Sequence, residues 1–102
     1  MIRASAVKLI DAVPEAHGIY EAPARDGRTV PCDVQSVTRR EAYEALSHGL
    51  HPEWVLVLAD WAEYGGQLTV EFEGHLYKVL RTYTRNDHRI ELTVERMTVH
   101  DI

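Results

Sequence analysis

Six histidines, one cysteine, sixteen carboxylates and a basic cluster near the end are the groups in this 102-residue chain with chemistry to offer. A metal centre needs three or four His, Cys or carboxylate ligands at workable spacing. His48 and His51, with Glu53 after them, come nearest. Only His48 would lie on a helix, no H-E-x-x-H occurs, and Cys32 has no second cysteine to join it, so no metal is expected. Nucleophilic catalysis fares no better. Ser36 and Ser47 lack a G-x-S-x-G setting, and Gly65-Gly66 is not followed by the Lys-Ser/Thr of a phosphate loop. Glu71 with Glu73, and Glu91 with Glu95, lie on single strand faces. Carboxylate pairs do acid–base work in a dry cleft, but on a half-buried strand they form the solvated face. The sequence therefore predicts no catalytic residue, no cofactor and no enzyme.

The basic cluster is the more interesting group. Arg81, Tyr83 and Arg85 fall at i, i+2 spacing, and Arg89 returns beside His88 on the next strand. Guanidinium planes and a ring on one sheet face resemble a platform for single-stranded nucleic acid. The corresponding alternative function is a small monomeric β-barrel that binds nucleic acid through the Arg81/Tyr83/Arg85/Arg89 face. Asp87, Glu91 and Glu95 dilute that field. The competing expectation is structural: Arg81 pairs with Glu91 or Glu95 across the strands, with Tyr83 covering the pair.

The elements that must position these groups are mostly strands. Ser5, Val7 and Leu9 give a weak alternating signal. Val13 to Gly18 and Ala22 to Gly27 are Pro/Gly-rich loops around a short piece at Ile19-Tyr20. From Arg28 to Ser36, Val30, Cys32 and Val34 alternate with polar residues, which predicts a strand with Cys32 as a small buried hydrophobe. Pro31 restricts that strand, since it cannot donate to a ladder. Thr38-Arg39-Arg40-Glu41 reads as a capping box, with Val37 and Ala42 at the staple positions. It opens a helix over residues 39–48 that stops at Gly49. Its apolar stripe, Ala42, Ala45 and Leu46, is too narrow for a core helix. Trp54 to Ala59, apolar on both faces, predicts a central strand. Leu68, Val70 and Phe72 lead through a Glu73-Gly74 turn into a strand over 75–83, and a second hairpin turns at Arg85-Asn86-Asp87. Ile90, Leu92 and Val94 differ in parity from Met97 and Val99, which predicts a β-bulge near Glu95-Arg96. The fold class is mainly β: a small antiparallel β-barrel or sandwich with one short inserted helix, one domain over residues 1–102.

Composition narrows the class further. Eleven Lys/Arg against sixteen Asp/Glu leave a formal charge of −5, the wrong sign for coating DNA. The longest apolar run, Trp54 to Ala59, is far short of the ~20 residues of a membrane-spanning helix. The first residues lack the grading of a secretory signal, and a lone cysteine gives no disulfide. The expectation is a small acidic domain that works inside a cell, without a membrane.

The run from Cys32 to Arg96 resembles the head-closure proteins of long-tailed bacteriophages, also called head–tail joining or stopper proteins. The resemblance is carried by Cys32-Asp33-Val34-Gln35-Ser36, Glu41-Ala42-Tyr43-Glu44-Ala45 and Gly49-Leu50-His51-Pro52-Glu53. It continues through Tyr64-Gly65-Gly66, Glu73-Gly74-His75-Leu76-Tyr77-Lys78-Val79, Arg81-Thr82-Tyr83, Ile90-Glu91-Leu92 and Glu95-Arg96. Gln67 stands where relatives carry an acid, and His88-Arg89 where they carry a Gly-Lys type turn end. The resemblance implies a β-barrel that forms a homo-oligomeric ring in the virion neck, below portal and adaptor proteins and above a tail-completion protein. The ring would close the DNA channel without sequence specificity and dock the tail, with no enzymatic activity or cofactor. Its assembly would take place in the host bacterial cytoplasm. Within this frame Tyr43, Leu46, Leu50, Pro52 and Glu53 are the candidate interface, and Arg81, Tyr83, Glu91 and Glu95 the candidate structural motif.

Overall fold

The computed structural model describes residues 3–11 and 27–98. The expected loops around residues 13–27 lie outside the described residues up to position 26, as do Ile19-Tyr20 and Val99. Among these residues six strands and one helix follow in order: β1 (Arg3–Ile10), β2 (Gly27–Ser36), α1 (Arg39–Leu46), β3 (Trp54–Leu58), β4 (Thr69–Phe72), β5 (His75–Thr84) and β6 (Ile90–Arg96). A 3-10 turn, Trp61–Glu63, lies between β3 and β4. The strands close into an antiparallel barrel in the order β1-β2-β3-β6-β5-β4, with β4 returning to β1 through Lys8↔Glu71, Leu9↔Val70 and Ile10↔Thr69. Closure removes the free sheet edges that a sandwich would have left. Of the two sequence-level architectures, the barrel is the one adopted.

The alternation read from the sequence fills the interior. Val30, Cys32 and Val34 of β2 meet Leu56 and Leu58 of β3 and Leu92 and Val94 of β6, all at 5 % exposure or less. Pro31 is tolerated within β2 because it pairs with Ala6 on the β1 side and lies one residue outside the β3 ladder, which starts at Cys32↔Leu58. In a closed barrel no strand is more central than another, and β3 pairs with β2 and β6. Its outward residues Val55 and Val57 are also buried, as is Thr93 beside Val55. Leu68, expected on the inner face with Val70 and Phe72, precedes β4 and is exposed.

Both predicted hairpins form. Glu73 (φ 51°) and Gly74 (φ 81°) make a two-residue turn with both central residues left-handed, the geometry that matches strand twist. The second hairpin closes with the Arg85 N–H donating to the Arg89 carbonyl at 2.7 Å.

The expected bulge at Glu95-Arg96 is not there. β6 keeps its register from Ile90 to Arg96, and the irregularity lies on its partner β5, between Val79 and Arg81. Val79 pairs with Val94 and Arg81 with Thr93, so Leu80 is the extra residue. Tyr77 and Val79 pack on the core side. An unbroken strand would carry Arg81 and Tyr83 inward with them, and burying two such side chains in an apolar barrel is prohibitive. The bulge sends them outward.

Candidate interaction surface around the outer helix

Helix α1 crosses the outside of the barrel between β2 and β3, and none of its residues is buried. Its start follows the capping signature only halfway. The Thr38 hydroxyl accepts from the Glu41 N–H at 3.1 Å. The Glu41 carboxylate, expected to reach back to Thr38, turns instead to the barrel. Its Oε2 lies 2.9 Å from Arg81 Nη2 and accepts from the Thr93 hydroxyl at 3.4 Å. The cause is the Leu80 bulge, which brings Arg81 to the outer face opposite Thr93. Glu41 is thereby both a first-turn acid in the favourable field of the helix N-terminus and the anchor of the helix to the sheet.

The helix ends at Leu46, two residues before the expected position, and the stop at Gly49 is as read. Gly49 takes φ 75°, its N–H donates to the Leu46 carbonyl at 2.9 Å, and the Leu50 N–H donates to the Ala45 carbonyl at 3.0 Å. These paired bonds around a left-handed glycine form a Schellman closure. The chain then returns to the barrel. The His51 N–H donates to Glu95 Oε1 at 2.7 Å and the Glu53 N–H to the Val94 carbonyl at 2.8 Å.

Tyr43 is 77 % exposed and Leu46 55 %, one helical turn apart on the face of α1 turned away from the barrel, while Leu50 sits at 37 %. Pro52 is half-buried and Glu53 exposed. Beneath the helix, Ala45, Leu50, Pro52 and Leu80 form the apolar lining of a cleft of about 260 Å³, with Glu41, Glu44, His48, Arg81 and Thr93 around it. The five candidate interface residues therefore divide. Tyr43 and Leu46 are on the outer ridge, Leu50 and Pro52 line the cleft, and Glu53 lies next to it.

The structural motif is differently wired from the expectation. Arg81 does not pair with Glu91 or Glu95; its carboxylate is Glu41, and its own side chain is 66 % exposed. Glu91 lies opposite Tyr83 and 3.7 Å from Arg85, while Glu95 takes Lys78 at 3.3 Å. Tyr83 is exposed, so it covers no buried ion pair. Arg85 and Arg89 share Asp87 at 3.5 Å and 3.8 Å. Every guanidinium of the proposed nucleic-acid face thus has a carboxylate within ion-pair distance. Sequence reasoning missed Glu41 and Leu80 as the residues that organise the surface. The available signal was the parity conflict within β5, between Tyr77/Val79 and Arg81/Tyr83/Arg85.

Among the described residues, no three His, Cys, Asp or Glu side chains gather into a metal-ligating group. The Nδ1 atom of His48 lies 3.2 Å from the Glu44 carbonyl and from the Ser47 hydroxyl. Tyr64 packs against the core and donates its hydroxyl to the Gln67 carbonyl at 2.5 Å; burial pushes its phenol above the usual tyrosine range. No helix among the described residues is long and apolar enough to cross a membrane. Set against known proteins, the chain matches no family model, no curated protein and no solved structure.

Proposed function

We propose that the protein is a non-enzymatic assembly subunit of a bacteriophage neck, forming a ring below the portal and adaptor that closes the DNA channel and docks the tail. The observation that carries the reading is the placement of α1. The barrel closes without it, yet the chain keeps a helix outside, capped at both ends, that buries no residue and displays Tyr43 and Leu46. Exposed aromatic and aliphatic side chains on a rigid element suit a protein–protein contact. The ordered resemblance from Cys32 to Arg96 supplies the kind of assembly. The net charge of −5 suits a conduit for DNA, whose phosphates should slide without being held. Carboxylates beside Arg81, Arg85 and Arg89 weigh against the nucleic-acid-binding alternative.

The test is genetic and physical. Particles assembled without this protein are expected to package DNA, lose it, and fail to acquire tails, with both defects restored by the intact chain. Tailed, DNA-retaining particles formed in its absence would refute the proposal.

A further inference from the structure

We infer that the contact between neighbouring copies is a knob-in-hole joint: Tyr43 of one copy enters the cleft beneath α1 of the next. This deepens the ring reading proposed above and rests on it. The knob is the most exposed large hydrophobic side chain described, 77 % open to solvent on the outer face of the helix. The hole lies under the opposite face of that helix. At about 260 Å³ it exceeds the ~150 Å³ that accommodates a benzene ring, so a phenol fits with room to settle.

The chemistry of the two parts is complementary. Ala45, Leu50, Pro52 and Leu80 offer apolar surface to the ring, while Arg81, His48 and Thr93 bring polar groups for a phenol hydroxyl that would otherwise be buried unpaired. The carboxylates at the hole already have cations, Glu41 with Arg81 at 2.9 Å and Glu44 with Arg40 at 3.4 Å, so what the hole offers a neighbour's ring is its apolar wall. Because knob and hole lie on opposite faces of α1, a copy whose hole is filled turns its own knob away from that neighbour, and the joint is heterologous. Such a joint propagates head to tail and closes into a ring when the rotation allows, as a two-fold contact cannot.

A mixing experiment tests this. Tyr43→Ala removes the knob and leaves the hole; Ala45→Trp fills the hole and leaves the knob. With isotope-labelled Tyr43→Ala protein and unlabelled Ala45→Trp protein added to about 1 mM, the range of a weak but measurable contact, saturable NMR shifts are expected at the amides of Leu50, Leu80 and Thr93. With the labels exchanged, shifts are expected on α1 around Tyr43 and not around the cleft. Leu80→Trp serves as a second hole-filling variant should Ala45→Trp disturb the helix. No shifts at that concentration, or the same surface shifting under both labels, would overturn the joint. These readouts use purified protein, so they separate from the DNA-retention test: loss of the phage role with the shifts intact refutes only the neck reading.

Discussion

Glu41→Ala should undock the outer helix while leaving the barrel standing, and the size of the effect follows from exposure. The Glu41 side chain is 22 % exposed and the Arg81 side chain 66 %, so solvent screens the pair. A contact of that kind contributes about 0.2–1 kcal/mol. Thr93, at 5 % exposure, would lose the acceptor for its hydroxyl. The bond is long at 3.4 Å, so its loss should cost about 1 kcal/mol. Removing a first-turn acid from the helix field costs about 0.3–1 kcal/mol more. The sum, about 1.5–3 kcal/mol, is large for a helix with no fully buried residue. Thermal unfolding should fall by about 4–8 °C per kcal/mol for a domain of this size. Amide exchange should quicken selectively over Ala42–Leu46, with the β3 and β6 amides keeping their order of protection. A double-mutant cycle with Arg81→Ala isolates the ion pair, and a coupling of about 0.5–1 kcal/mol is expected. Strict additivity within ~0.3 kcal/mol, together with unchanged exchange in α1, would refute the anchoring role.

Deleting Leu80 should be tolerated, because Val79↔Val94 and Arg81↔Thr93 then join one regular register; a folded barrel whose cleft has lost one apolar wall is expected by NMR, and outright unfolding would contradict the bulge reading. Leu46→Asp should shift the melt by no more than about 0.5 kcal/mol yet block assembly into particles, whereas a variant that unfolds would place Leu46 in the core. His88 holds φ 71° and contributes its backbone carbonyl to the Trp61 N–H, so His88→Gly should raise stability by a few tenths to about 1 kcal/mol, measured by denaturant midpoint. Burial raises the Tyr64 phenol, so the unfolded chain loses that proton first as pH climbs. Stability should therefore decline above the ordinary tyrosine pKa, ~10, until the raised native pKa is passed. Tyr64→Phe should flatten that limb while costing about 1 kcal/mol for the lost bond to Gln67.

The strands and turns were legible because their information is local, whereas barrel or sandwich stayed open because closure rests on β1 meeting β4, far apart in the chain. Alternation in β2, apolarity on both faces of β3, and Glu73-Gly74 each dictate geometry over a few residues. The helix stop at Gly49 belongs to the same class. What escaped was non-local. The capping box gives Glu41 a local partner, but the nearby Arg81 guanidinium and Thr93 hydroxyl compete for the same carboxylate and prevail. That competition exists only once β5 bulges at Leu80. The parity rule that exposes the bulge was applicable to Tyr77, Val79, Arg81 and Tyr83, but Met97 and Val99 drew it to the wrong strand. Met97 lies past the end of β6, so its parity constrains nothing. The cleft beneath α1 was invisible for the same reason: its walls come from α1, the loop to β3, β5 and β6, which periodicity within one element cannot bring together.

Reconstruction of assembled phage necks by electron microscopy tests the central proposal most directly. Density for this barrel is expected as a closed ring directly below the adaptor, with α1 at each boundary between subunits and Tyr43 seated against the neighbouring copy. A neck that lacks the chain, or a ring in which α1 faces solvent and the boundaries run elsewhere, would contradict it.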